Sequence, residues 1–154
     1  VGVSGDTADA VMAVGWRDLP GAAARAEALE SARTSSSFRS LALAFKRVRN
    51  ITDGQAEEGV DPNLFEHPEE RELYESTSRF ASALDRVLPE HDVVAAFAAM
   101  EPLADVLERF FVAVLVMCDD EELRKNRISL LKNLGRHFLQ LADLSRLQVE
   151  GGEQ

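Results

Sequence analysis

Three groups of residues in this 154-residue chain could carry chemistry. The pair His91-Asp92 evokes metal-dependent phosphohydrolases, but such a site needs further His and Asp ligands, and only His67 and His137 remain to supply imidazole. Asp119, Asp120, Glu121 and Glu122 could attract Mg²⁺, yet clustered acids at a helix start are also what the helix dipole favours. The third group is basic. Arg39 to Asn50 holds four Lys/Arg and no acid, and Arg124 to His137 holds five and no acid. Guanidinium forks suit bidentate contact with phosphate, and asparagine can read a base edge. The sequence has no Gly-rich phosphate loop, no Cys/His zinc spacing and no usable Ser/His/Asp set. No catalytic residue and no metal ligand is therefore assigned, and Asp92 reads as a helix N-cap.

Composition narrows the field. A 45% hydrophobic content supports a core, and the length fits one domain, residues 1–154. Val1 is not a methionine and residues 1–10 read as the middle of something, so the chain is expected to be a piece of a longer protein. The single cysteine, Cys118, excludes an internal disulfide and is expected as a buried, inert thiol; a reducing cytoplasm fits. The apolar run 110–118 is too short for a bilayer, which takes about 20 residues, and no signal peptide pattern opens the chain. No membrane partner is expected. The net charge of −10 argues against a generic nucleic-acid coat, but a phosphate meets the local field, and charge here is uneven. Asp53 to Glu75 holds nine acids and one arginine.

The elements that position these groups read as all-α, a bundle of about six helices. A first helix starts at an Asp6 N-cap, with Ala8, Val11, Met12 and Val14 apolar, and stops at Gly15. A second is capped by Asp18, with Pro20 in its first turn, and runs to about Arg33. A third spans about Phe38 to Ile51. Its Phe38, Leu41, Ala44, Phe45 and Val48 share one face, Arg39, Lys46 and Asn50 lie opposite, and Arg47 and Arg49 take the two edges. Residues 52–67 form an acidic, mobile loop pinned at its far end by Leu64 and Phe65. A fourth helix runs from Pro68 to Pro89, a short one covers 92–100, and another opens at Pro102 with Met117 still inward. The last starts at Asp119 or Asp120 and runs to about Leu147, with a frayed tail over 149–154. On it Lys125, Lys132 and Arg136 share a flanking face. Arg127 falls inside the apolar stripe and needs a carboxylate, with Asp105, Asp119 and Asp143 as candidates. Most aromatics sit at core spacing; Phe45 and Phe65 are the ones to test for stacking on bases.

Two segments carry a resemblance. Phe110 to Leu147 joins an aliphatic run, the acidic quartet and a helix with Leu-Arg-Lys-Asn-Arg-Ile-Ser-Leu-Leu, ending in Ala-Asp-Leu-Ser. Ala44-Phe-Lys-Arg-Val-Arg-Asn-Ile51 is the other, and Asp9-Ala-Val-Met, Arg25-Ala-Glu-Ala-Leu and Val60-Asp-Pro-Asn-Leu-Phe65 keep the same order. Together they resemble the C-terminal helical domain of the bacterial glycyl-tRNA synthetase beta subunit. The anticodon-binding domain of arginyl-tRNA synthetase is the nearest rival, but its Ala-Leu-Arg-Tyr type element is missing. The resemblance implies a non-catalytic domain that holds the anticodon arm of tRNA-Gly. The full enzyme, with its alpha subunit and the rest of the beta subunit, ligates glycine using ATP and Mg. The family's RNA-contacting residues do not reduce to a short motif, so the candidate tRNA-binding residues, Arg39, Lys46, Arg47, Arg49, Asn50, Lys125, Lys132 and Arg136, rest on the geometry of the basic faces. A helical scaffold or subunit-docking domain is the competing reading, and a free-standing hydrolase a third.

Overall fold

A computed structural model describes residues 3–15, 19–56 and 58–148. Seven α-helices follow in order: α1 (Gly5–Gly15), α2 (Leu19–Ala32), α3 (Ser36–Thr52), α4 (Pro68–Val87), α5 (Val93–Met100), α6 (Leu103–Ala113) and α7 (Glu121–Phe138). Two 3-10 turns, Pro62–Leu64 and Leu144–Arg146, complete the order, and there is no strand among the described residues. The all-α expectation holds. The Asp18 cap, Trp16 and the tail from residue 149 lie outside the described residues.

Local chemistry sets the boundaries. Ser35 caps α3 by accepting from the Phe38 N–H at 3.0 Å. Asp92 caps α5 through the Ala95 N–H, and Asp120 caps α7 through the Leu123 N–H, both at 3.1 Å. His91, immediately before α5, turns the chain with φ 58°. The His91-Asp92 pair is thus spent on a turn and a cap.

Helices α3 and α4 each pack against both α6 and α7, so the four close into a bundle. Phe38, Leu41, Phe45 and Val48 of α3 are buried as their spacing predicts, with Ala42 in the place expected of Ala44. Phe138 of α7 meets Phe45 at 5.2 Å and Phe80 of α4 at 5.3 Å between ring centroids. The α1–α2 hairpin joins the bundle through α5 and through the turn at Leu144–Arg146.

The structure corrects several expectations. Asp6 is not an N-cap: α1 starts at Gly5, and the Asp6 carboxylate is gripped by both terminal nitrogens of Arg33 at 2.9 and 2.8 Å. The same carboxylate accepts the Gln148 N–H at 2.7 Å, tying the two ends of the described chain together. The buried face of α1 is Thr7, Ala10 and Val11, while Met12 is exposed. Helix α6 stops at Ala113 and α7 at Phe138, well short of Met117 and Leu147. Val114 turns extended after α6, which leaves Met117 exposed and Cys118 only half-buried. After α7 the buried residues Leu141, Ala142, Leu144 and Leu147 face too many directions for one helical stripe. The Asp143 N–H instead donates to the Ala10 carbonyl at 2.9 Å, and Asp143 caps the second 3-10 turn.

Arg127 is buried, as its place in the stripe requires, but its partners are none of the three aspartates. Its Nε donates to Glu70 at 3.2 Å, one terminal nitrogen to Glu66 at 3.1 Å, and the other to the Leu115 carbonyl at 2.8 Å. Glu70 is fully buried, and its second oxygen accepts the N–H groups of Glu66 and His67 at 2.8 and 3.0 Å, closing the first turn of α4. On the surface, Arg109 of α6 clasps Glu72 of α4 at 2.6 Å.

Arg127→Met should lower the unfolding free energy in urea by about 3–5 kcal/mol, because it strands a buried carboxylate. Arg109→Met, which breaks a solvent-screened pair, should cost far less. Equal losses would show that burial adds nothing to the Arg127 pair. The Arg33 hydrogen bonds hold the Asp6 carboxyl far below the usual carboxylate range. The stability that this lends is present above the ordinary value of 3.8 and is lost as pH falls further. Asp6→Asn should therefore be less stable at neutral pH and lose stability less steeply on acidification below about pH 4; an unchanged acid limb would contradict the coupling.

Candidate nucleic-acid interface

Helix α3 carries the first basic group. Burying Phe38, Leu41, Phe45 and Val48 turns the remaining faces outward. Lys46 and Asn50 lie on that outer side, and their side chains make no hydrogen bond or ion pair among the described residues. The two edge arginines reach in opposite directions. Arg47 lies with its guanidinium carbon 4.2 Å from the centroid of the Phe111 ring of α6. Arg49 approaches Asp143 at 3.8 Å while staying largely exposed. Arg39 sits two turns before Lys46, roughly 10 Å along the axis. It donates to the Thr34 carbonyl and borders a cleft of about 600 Å³ shared with Arg33, Phe38 and Gln148.

Helix α7 carries the second basic group, and here the loop over 52–67 intervenes. The expectation of a mobile loop fails along α7. The Glu58 N–H donates to the Ser129 hydroxyl at 3.2 Å. The buried Asn126 accepts from the Asp61 N–H at 2.7 Å and donates to the Asp61 carbonyl at 3.1 Å. Lys132 donates to the Gln55 carbonyl at 2.6 Å. Lys125 pairs with Glu121 at 3.1 Å and lies 3.9 Å from Glu58; its hydrogen bond holds the Glu121 carboxyl below its ordinary range. Arg136 donates to Asn133 at 2.6 Å. Acid and backbone oxygen therefore occupy much of the cationic capacity of this face. Lys46, Arg47 and Asn50 on α3 form no ion pair among the described residues, whereas Lys125 and Lys132 on α7 serve the loop.

Residues 41–145, most of the chain, match the DALR anticodon binding domain. The chain belongs to this family. Among curated relatives it is 39% identical over 142 residues to the glycine--tRNA ligase beta subunit of Geobacter sp. (strain M21), covering 92% of this chain and 21% of the relative. It is 36% identical over 145 residues to that of Syntrophus aciditrophicus (strain SB), covering 94% and 21%. Against that of Anaeromyxobacter dehalogenans (strain 2CP-C) it is 36% identical over 152 residues, covering 97% and 22%. The chain spans about a fifth of the length of these relatives.

Within this DALR domain the two aromatics singled out for base stacking fare differently. Phe45 is fully buried against Phe138 and cannot meet a base. Phe65 is half-buried, set edge-on to Tyr74 at 5.7 Å with Arg71 at 5.3 Å. Sequence reasoning misses Phe111 and its neighbour Glu108, which line a groove of about 340 Å³ between α3 and α6 with Arg47, Ser40 and Val112. Adjacent Phe110 and Phe111 read as one apolar run, although only Phe110 enters the core. No group of three or more His, Cys, Asp or Glu among the described residues is arranged to hold a metal ion. No helix there is long and apolar enough to cross a membrane.

The DALR domain's loop depends on Asn126. Asn126→Ala should raise amide hydrogen exchange across residues 53–61 while leaving exchange in α3 and α4 near its original rate. Uniform acceleration across the bundle would show that Asn126 supports the whole fold rather than the loop.

Proposed function

We propose that this DALR domain binds the anticodon arm of a tRNA, with α3 as the RNA-facing helix, within a glycine--tRNA ligase beta subunit. The observation that carries the reading is the coincidence of the family match with Lys46 and Arg47, which form no ion pair among the described residues, beside Asn50, on a protein whose net charge is −10. Lys46 supplies a phosphate contact, Arg47 adds positive charge beside the backbone, Asn50 makes a base-edge or sugar contact, and Arg39 and Arg49 extend the surface. Lys125 and Lys132 contribute mainly by holding the loop and pairing with nearby acid, and Arg136 extends the basic face of α7. The names of the relatives favour the glycyl enzyme over the arginyl one.

The domain itself does no bond chemistry in this reading. It fixes the tRNA so that the acceptor end reaches an aminoacylation site elsewhere, a contribution of proximity and specificity. The remainder of the beta subunit and an alpha subunit are its protein partners. Glycine and ATP with Mg are the substrates and metal of the whole cytoplasmic enzyme, and tRNA-Gly is the cognate RNA. The docking reading has its own observation: Val112 at the end of α6 and Leu115 and Met117 in the connection to α7 are exposed apolar side chains.

The test is binding to tRNA-Gly and a non-cognate tRNA at two salt concentrations. Wild type should prefer the cognate and weaken with salt. Charge reversal of Lys46 and Arg47 should reduce affinity and flatten the salt slope by about 2, since each phosphate neutralised adds about 0.9 to that slope. Unchanged binding in a folded double variant would remove α3 from the interface and favour the docking reading.

A further inference from the structure

The groove between α3 and α6 holds two ionic groups that ignore each other. Arg47 and Glu108 both line it, yet they form no ion pair. The Arg47 guanidinium is instead laid over the Phe111 ring at 4.2 Å. Phe111 is braced from behind by Phe110, edge-on at 5.6 Å, and Phe110 is fully buried. The platform is therefore anchored to the core. Both Arg47 and Glu108 remain exposed, and Glu108 has no hydrogen-bond or ion-pair partner among the described residues. Val112, 84% exposed, forms an apolar lip beside them. The next basic residue on α6, Arg109, is committed to Glu72 and leaves Glu108 alone.

We propose that this groove is a pocket for one unpaired RNA base bearing an amino group, stacked on the Arg47 guanidinium and read at its edge by Glu108. A guanidinium centred over an aromatic ring offers its other face as a stacking surface. The Val112 side chain covers apolar ring atoms from the side. A carboxylate only accepts hydrogen bonds, so it matches the amino group of cytosine or adenine, or the paired amino and N1–H donors of guanine. Uracil offers a single N–H between two carbonyl oxygens, and those oxygens repel the carboxylate. A loop of unpaired bases presents such edges, whereas a duplex hides them. The inference rests on the anticodon-arm reading and adds to it a recognition pocket with a stated preference.

The experiment measures tRNA-Gly affinity and chemical protection of its anticodon-loop bases for wild type, Arg47→Lys, Glu108→Gln and Lys46→Ala. Arg47→Lys keeps the charge and loses the plane. It should weaken binding roughly tenfold, the scale of one base stack, with an unchanged salt slope and loss of protection at one loop base. Glu108→Gln, which replaces one acceptor oxygen by a donor, should bind several-fold more weakly and lose its discrimination when that base is replaced by uracil. Lys46→Ala should lower the salt slope and leave protection intact. If Arg47→Lys and Glu108→Gln both match wild type while Lys46→Ala binds more weakly, the pocket is overturned and the anticodon-arm reading stands. If wild type neither binds nor protects any loop base, both are overturned. Circular dichroism of each variant separates these outcomes from misfolding.

Discussion

The buried pair of Glu70 and Arg127 is the constraint on which the rest of the structure turns. A fully buried carboxylate is tolerable only when its lone pairs are occupied, and the neighbours that occupy them come from different parts of the chain. Two are the backbone N–H groups that open α4, and one is the guanidinium of α7. Arg127 in turn spends its remaining donors on Glu66 and on the Leu115 carbonyl. One network thereby fixes the end of the acidic loop, the register of α4 against α7, and the α6–α7 connection. A hydrophobic pair of equal volume could fill the same space, but it could not terminate a helix and tether a connector at once.

That network also explains what can and cannot be read from residues alone. The helical stripe places Arg127 inward, so burial and the need for a carboxylate are legible from spacing. The identity of the carboxylate is not. Glu70 looks like an ordinary acid in the first turn of a helix, attracted there by the dipole, and it does act there. Its second role depends on α4 and α7 being neighbours, which periodicity does not encode. The ends of α6 and α7 escape the pattern for the same kind of reason. Apolar spacing continues through Met117 and to Leu147, but packing against α1 and the Arg127 contact at Leu115 redirect the backbone. The apolar face of α3 is legible throughout because one buried stripe and one capping serine settle it locally.

The basic surface shows a similar division. Composition offers two cationic segments of equal merit, and the fold distinguishes them by what lies alongside. The acidic loop follows α7 and is fastened there through Asn126 and Ser129, so the lysines of that helix meet nearby oxygens. Helix α3 has no such cover. The loop thus engages part of the positive charge of α7. Because the surrounding protein is acidic, the field at α3 is confined in extent, and ions screen it beyond roughly 8–10 Å at physiological salt.

Confinement of that kind bears on specificity. A broadly basic protein attracts any polyanion, and its affinity follows phosphate count rather than sequence. Here general attraction is limited by a net charge of −10, and discrimination must come from groups held in fixed positions. Helix α3 meets that requirement because its inner face is locked by Phe38, Leu41, Phe45 and Val48. The same rigid body therefore fixes the backbone from which Lys46, Arg47 and Asn50 project. Arg47 is further restrained by the Phe111 ring, so less side-chain entropy is left to lose on contact with a ligand. On the proposed reading, core packing and recognition are solved on opposite sides of one helix.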